Sequence, residues 1–443
     1  MYNFSKSYDI HKPYAHISNA QREILFGEDI LNNQPPPIDP EKTPVFTLPL
    51  ANGRSLVFDE QMLSRHLLLN GSSGCGKTNV LYSIASGIMQ HLGRSDILFL
   101  FDPKGDFKRE FYNPNNPDHI LIGGSDPTAR VWNVYEEMRD ESDAKEIANM
   151  CFVGRESQHQ PFFSQSAANL TSKIWIDHMR RGTGLTNADF HSFVQHADPK
   201  CYLDMIARND DFAGVKTYLG DIDKRISPQA LGVLGYLTGM CDDLFAPRAN
   251  DKRRAAFSIH QLIAQRGGKI VFMEYDISRS TTIAPLYQIW IDLAIRSACA
   301  RPDNQGNVYL MLEEFSILPC ITSMGTALNL GRSKGIKICA ALQSTYQLYQ
   351  TYDETAAQAL LTGFGSYFGF QSNDPASRDY TSKRFGEVYE TISFDYMGTH
   401  TPISRITHAV EDWHILSLST GEAFCDIAGW QHPFRAHFQK WKP

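Results

Sequence analysis

The residue pattern predicts an α/β fold, a mainly parallel sheet with crossover helices, split by an inserted all-α segment. Three observations carry this. Short apolar runs first alternate with helix-like stretches, Arg65 to Asn70, then Thr78 to Leu92, then Ile97 to Phe101, and each run ends where glycine or aspartate turns the chain. Between about Tyr135 and Ala255 apolar residues instead recur at three- and four-residue spacing, as in Phe163 to Arg181 and Ser227 to Phe245. Strand-like runs then return at Lys269 to Glu274, Val308 to Leu312, Ile336 to Leu342 and Tyr367 to Phe370.

This pattern divides the chain into an arm or linker over residues 1–44, an α/β domain in two parts, 45–135 and 256–443, and an all-helical domain over 136–255 inserted between them. The arm is polar and ends in a cluster, Pro35, Pro36, Pro37, Pro40 and Pro44, that suits a linker. A length of 443 residues holds two or three domains, and 42% hydrophobic with 21% charged residues is ordinary for a globular chain. The net charge of −7 argues against coating nucleic acid with the whole surface but permits a local basic channel. The eight cysteines, at 75, 151, 201, 241, 299, 320, 339 and 425, stand singly. They read as thiols in a reducing cytosol, with no zinc site or disulfide framework. No signal-peptide-like run and no eighteen consecutive apolar residues occur, so the expectation is a cytoplasmic chain that does not cross a membrane by itself.

The chemistry centres on Gly71-Ser72-Ser73-Gly74-Cys75-Gly76-Lys77-Thr78, a complete phosphate-binding loop. Its glycines permit backbone angles that turn successive N–H groups around phosphate oxygens, and a helix starting near Lys77 adds its positive end. Lys77 is placed to bridge β- and γ-phosphates of a nucleoside triphosphate and the Thr78 hydroxyl to ligate Mg2+. The apolar run before the loop and the amphipathic helix after it supply the required context, and Cys75 reads as a small filler.

Such a loop needs an acid at a neighbouring strand end for the metal and a second to orient the attacking water. Val308-Tyr309-Leu310-Met311-Leu312 followed by Glu313-Glu314 provides both, with Glu313 on the metal side and Glu314 on the water. Glu313 is one methylene longer than the more usual aspartate. Asp102, opening the turn Asp102-Pro103-Lys104-Gly105-Asp106 at a strand end, is a candidate nucleotide contact, and Lys104 is directed to the nucleotide or a neighbouring subunit. By itself the pentapeptide is more often just a turn. Gln343, at the end of the run Ile336 to Leu342, is a candidate sensor of the γ-phosphate or its water. Arg332, in Gly331-Arg332-Ser333-Lys334-Gly335, faces outward as a solvated charge or, in a ring, as a finger for the adjacent subunit. Lys252, Arg253 and Arg254 are candidate channel contacts to DNA, or simply a solvated charge run.

The ordered set of phosphate loop, Asp-Pro-Lys-Gly-Asp-Phe, helical insertion, Val-Tyr-Leu-Met-Leu-Glu-Glu-Phe and Gly-Arg-Ser-Lys-Gly-Ile-Lys with Leu-Gln-Ser-Thr-Tyr-Gln-Leu resembles the type IV secretion coupling proteins of the TraG/TraD type. The resemblance covers roughly residues 50 to 430, extending through Phe364-Gly365-Ser366, Ser372-Asn373-Asp374-Pro375 and Tyr380-Thr381-Ser382-Lys383. It implies a RecA-like ATPase with Mg2+, a homo-hexameric ring with a central channel, and DNA or nucleoprotein cargo passed to a secretion channel. Members usually begin with two transmembrane helices; here the start reads as a soluble arm, so a separate membrane or channel partner docking on residues 1 to 45 is expected. The alternatives are a cytosolic DNA translocase of the FtsK or HerA type and an ATP-switched adaptor for protein effectors.

Overall fold

A computed structural model describes residues 21–30, 34–155, 161–182, 184–219, 228–245, 254–396 and 399–442. Its centre is a nine-stranded sheet in the order Phe434–His437, Glu422–Asp426, Ser366–Phe370, Leu67–Asn70, Ile336–Leu342, Val308–Leu312, Ile97–Asp102, Lys269–Glu274, His119–Gly123. The last seven in this order pair in parallel, while the first two form an antiparallel edge.

The strands read as unbroken apolar runs because both faces of the sheet are covered. With a side-chain period of two, Leu68, Phe99, Phe101, Leu310, Ile338 and Ala340 join one core, and Leu67, Leu69, Leu98, Leu100, Met311 and Ala341 join the other. The first core continues into the helical insertion; the second is closed by the phosphate-loop helix Lys77–His91 and by the hairpin Pro44–Pro49 with Ser55–Asp59. The sheet is therefore the α/β layer, mainly parallel, that the alternating runs predict, with an all-α part inserted.

The helices Glu141–Cys151, Pro161–Arg181, Asn187–His196, Pro199–Arg208 and Pro228–Phe245 follow one another with no strand among the described residues between them. Their neck is a short parallel pair, Val131↔Ala256 and Trp132↔Phe257. Glu137 fastens it: its buried carboxylate accepts from Trp132 Nε1 at 2.8 Å, Ser258 Oγ at 3.0 Å, His260 N at 2.9 Å and Ile259 N. Its two oxygens thus cap the helix Ile259–Gln265 on the far side of the insertion.

Part of the amino-terminal arm behaves differently from a linker. Gln21–Phe26 pairs antiparallel with Glu387–Tyr396, which pairs in turn with Thr399–His408. Arg22 Nε donates to the fully buried Glu390 at 2.6 Å, and Ile30 is buried in the first core. The stretch that reads as linker thus includes a strand, fastened through Arg22, which is ion-paired with both Glu390 and Asp29. Residues 1–20 lie outside the described residues.

Candidate functional site

The strand Leu67–Asn70 delivers the phosphate loop at its carboxyl end. Asn70 anchors that end, donating Nδ2 to Thr345 Oγ1 at 3.1 Å and Tyr367 OH at 3.2 Å and accepting from Ser377 Oγ at 3.3 Å, all within the core. Gly74 and Gly76 take φ of 79° and 106°, the left-handed region that side chains disfavour. At Gly76 a Cβ would also stand 2.8 Å from Gly421 N. Ser72 is set from the next strand over, its N–H donating to Gln371 O at 2.8 Å and its Oγ accepting from Asn373 N at 2.8 Å. Ser73 and Gly74 form the exposed tip, and Cys75 is a buried filler. Lys77 folds back under the loop, its Nζ donating to the carbonyls of Gly71 and, at 3.0 Å, Ser72. Burial lowers the Lys77 ammonium's pKa from its usual value.

The acid pair arrives from the strand Val308–Leu312, separated from the phosphate-loop strand only by Ile336–Leu342. Glu313 meets the loop directly: Thr78 Oγ1 donates to its Oε1 at 3.2 Å, and Lys104 Nζ lies 3.4 Å from the same oxygen. Glu313 is 2% exposed; burial pushes its carboxyl up, and Lys104 opposes that. Glu313 Oε2 is buried without a hydrogen-bond partner among the described residues. Glu314, also buried, accepts from Gln343 Nε2 and from Ser316 Oγ at 2.9 Å. Ser316 bonds in turn to Gln347 Oε1 at 3.0 Å. Gln343 and Glu314, 29 residues apart in the chain, are thus one unit at neighbouring strand tips.

Asp102 lies at the end of the adjacent strand, yet both of its oxygens face the chain that follows. Oδ1 accepts from Asp106 N at 3.0 Å and Oδ2 from Lys108 N at 2.8 Å, while Gly105 closes the turn with φ of 72°. Its carboxyl, fully buried, is pushed up by that burial. Asp102 therefore shapes the turn that carries Lys104 toward Glu313, and Lys104 is the member of this turn that touches the loop's neighbours.

Two predicted residues sit elsewhere. Arg332 is exposed in the turn before Ile336–Leu342, whereas Gln343 follows that strand; seven residues of strand put about 23 Å between them. Arg332 is therefore at the amino-terminal end of the parallel strands, the phosphate loop at their carboxyl end. Arg254 is half-buried and donates to Asp126 O at 2.6 Å, so it is not presented as a channel contact, and Lys252 and Arg253 lie outside the described residues. Sequence reasoning missed Ser316, Asn70 and the segment around Gly421, whose N–H donates to Cys75 O at 2.9 Å. Asn70 and Gly421 act through partners hundreds of positions away, which no local pattern signals; Ser316, two residues past Glu314, was within reach of the motif.

The model of the type IV secretion-system coupling protein DNA-binding domain matches residues 53–398, well over half of the chain. The chain belongs to the type IV coupling protein family. Among curated proteins this chain is 21% identical over 341 residues to coupling protein TraD of Escherichia coli K12, covering 73% of this chain and 44% of TraD. It is 27% identical over 137 residues to the conjugal transfer protein TraG of Agrobacterium fabrum C58, covering 30% of this chain and 20% of TraG. The chain thus spans under half the length of the curated relatives it matches. Among solved structures, unbound conjugative coupling protein TrwB aligns with a TM-score of 0.74 at 21% identity, over 89% of each chain. TrwB in complex with ADP and Mg2+ aligns at 0.73 and 19%, over 95% of this chain and 94% of that one. These likenesses establish the fold. No helix among the described residues is long and apolar enough to cross a membrane.

Proposed function

We propose that this coupling protein is an ATP-driven motor that recruits DNA or nucleoprotein and moves it to a type IV secretion or conjugation channel. The observation that carries the reading is the convergence of Thr78, Glu313 and Lys77 on one loop, with Glu314 and Gln343 joined beside it. The buried, unpartnered Oε2 of Glu313 is the kind of acceptor a metal's water shell satisfies, and the fit with Mg2+ rests on it. TrwB has been solved with ADP and Mg2+ and with a non-hydrolysable ATP analogue, which supports the same pair here. Bound Mg2+ supplies charge neutralisation on the phosphates.

In this reading the backbone of Gly71 to Thr78 cradles phosphates, and Lys77 exchanges its two carbonyl partners for phosphate oxygens. Thr78 and Glu313 hold the metal. Glu314 orients the attacking water, with Gln343 restraining its carboxylate. Residues 45–135 and 256–443 act as one nucleotide-binding domain and 136–255 as the insertion that receives cargo. Arg332 serves the neighbouring subunit of a homo-hexamer, and a membrane or channel protein anchors the ring at its cytoplasmic side through the arm.

ATP hydrolysis measured with and without DNA is the test. Lys77→Ala is expected to abolish nucleotide binding. Glu314→Gln is expected to keep binding while losing roughly 100-fold or more in turnover, the usual weight of a positioned base. Normal steady-state hydrolysis by either variant removes the role given to that residue, and hydrolysis indifferent to DNA favours an adaptor instead.

A further inference from the structure

Lys104 is the one cation of the Asp-Pro-Lys-Gly-Asp turn that reaches the acid pair. Its Nζ lies 3.4 Å from Glu313 Oε1, the oxygen that also takes the Thr78 hydroxyl at 3.2 Å. Ammonium and hydroxyl thus meet at the same atom, where a divalent cation ligated by Thr78 and Glu313 would have to stand. Lys108, four residues on, cannot take this part, because Asp126 at 2.7 Å and Glu274 at 3.0 Å already hold its ammonium.

The two partners differ in freedom. The Glu313 side chain, just past the end of Val308–Leu312, is 1% exposed, whereas that of Lys104 is 38% exposed on its turn. The turn itself is built by Asp102 and Gly105 through backbone contacts, so its shape does not depend on the lysine side chain. The ammonium can swing to water while the carboxylate stays. A buried carboxylate with one unpartnered oxygen needs a nearby positive charge, and Lys104 Nζ lies within ion-pair distance of it.

We infer that Lys104 is a positioning residue that stands in for the divalent cation beside Glu313 in the nucleotide-free chain and must leave before the metal enters. The inference rests on the reading that Thr78 and Glu313 hold Mg2+. Its consequence is that the empty motor binds metal weakly and takes it up together with nucleotide, whose phosphates add the charge that displaces the lysine.

Mn2+ alone is the probe, titrated into the nucleotide-free full chain with free Mn2+ followed by electron paramagnetic resonance. Lys104→Met keeps the aliphatic stem and is expected to tighten Mn2+ binding roughly two- to five-fold, the scale of a partly exposed ion pair. Lys104→Arg should leave it within about two-fold. Glu313→Gln should weaken binding, and adding Lys104→Met to it should change nothing further. An unchanged or weaker affinity in Lys104→Met, with Glu313→Gln still weakening binding, overturns the inference and leaves the metal site standing. Unchanged binding in Glu313→Gln overturns the metal site itself. A melting curve matching the parent confirms that Lys104→Met is folded.

Discussion

At the scale of single residues, the site is held by side chains whose roles follow from where their second atom points. Asp102 looks from its strand-end position like a ligand contact, but both oxygens close a turn. Asp102→Asn keeps one acceptor and sets an amide against the N–H of Lys108; a loss of about 1–3 kcal/mol in urea unfolding is expected, as for other buried donors left unpaired. Gly76 combines φ of 106° with a Gly421 backbone too close for a methyl group. Gly76→Ala is therefore expected to destabilise the phosphate loop and weaken binding of a fluorescent ATP analogue by at least tenfold, since left-handed strain alone is of order 1–2 kcal/mol. Gly74, with open space around it, should tolerate alanine better despite its positive φ.

Among elements, the neck of the insertion is where separate parts of the chain depend on one group. Glu137 binds Trp132 before the insertion and the start of the helix Ile259–Gln265 after it. Asn187 adds a second tie, donating to Trp132 O at 2.7 Å and accepting from Val134 N at 2.9 Å. Removing the Glu137 carboxylate leaves several buried donors without acceptors. Glu137→Ala is expected to cost about 3 kcal/mol or more in denaturant unfolding and to expose the neck to limited proteolysis. Equal protease resistance in the variant would show that packing around Trp132 and Phe257 suffices. The inner strands of the sheet carry no comparable single dependency, because each is paired on both sides and buried on both faces.

Over the whole molecule, Arg332 and the buried histidines make separate expectations. Arg332 faces away from its own phosphate loop across the length of a strand, so its proposed partner is another subunit. Mixing Lys77→Ala with Arg332→Ala protein, each inactive alone, should restore hydrolysis to about a quarter of the sites in a 1:1 ring, as expected for a finger acting in trans. No recovery on mixing removes that assignment. His66, His178 and His414 are buried, and burial lowers each to about 4 from the usual 6.5. The folded chain thus binds fewer protons than the unfolded one between these values, so their stabilising effect is complete above pH 6.5 and is lost as pH falls toward 4. A melting temperature that declines over that range, and declines less in His66→Gln, is expected. His66 is the informative case, since its Nδ1 accepts from Ile338 N at 3.1 Å and must stay unprotonated there.

The sequence by itself determined six strands of the sheet, the phosphate loop and the acid pair, but not the strands His119–Gly123, Glu422–Asp426 and Phe434–His437. Buried parallel strands must be apolar throughout, phosphate contact demands glycines at set spacing, and charge can appear only at a strand's end; each of these is a local constraint written in consecutive residues. Lys269–Glu274 and Val308–Leu312 are strands over the residues whose pattern predicts them, and the helix Lys77–His91 begins at the loop's lysine. The tertiary structure alone decided what lies between distant residues. It joined Gln343 to Glu314, turned Asp102 inward, brought Lys104 to Glu313, docked Gln21–Phe26 on Glu387–Tyr396 and set Arg332 at the opposite end of the strands from the phosphate loop. Those outcomes depend on strand order and on which side a turn faces, and neither is encoded in the periodicity of any one segment.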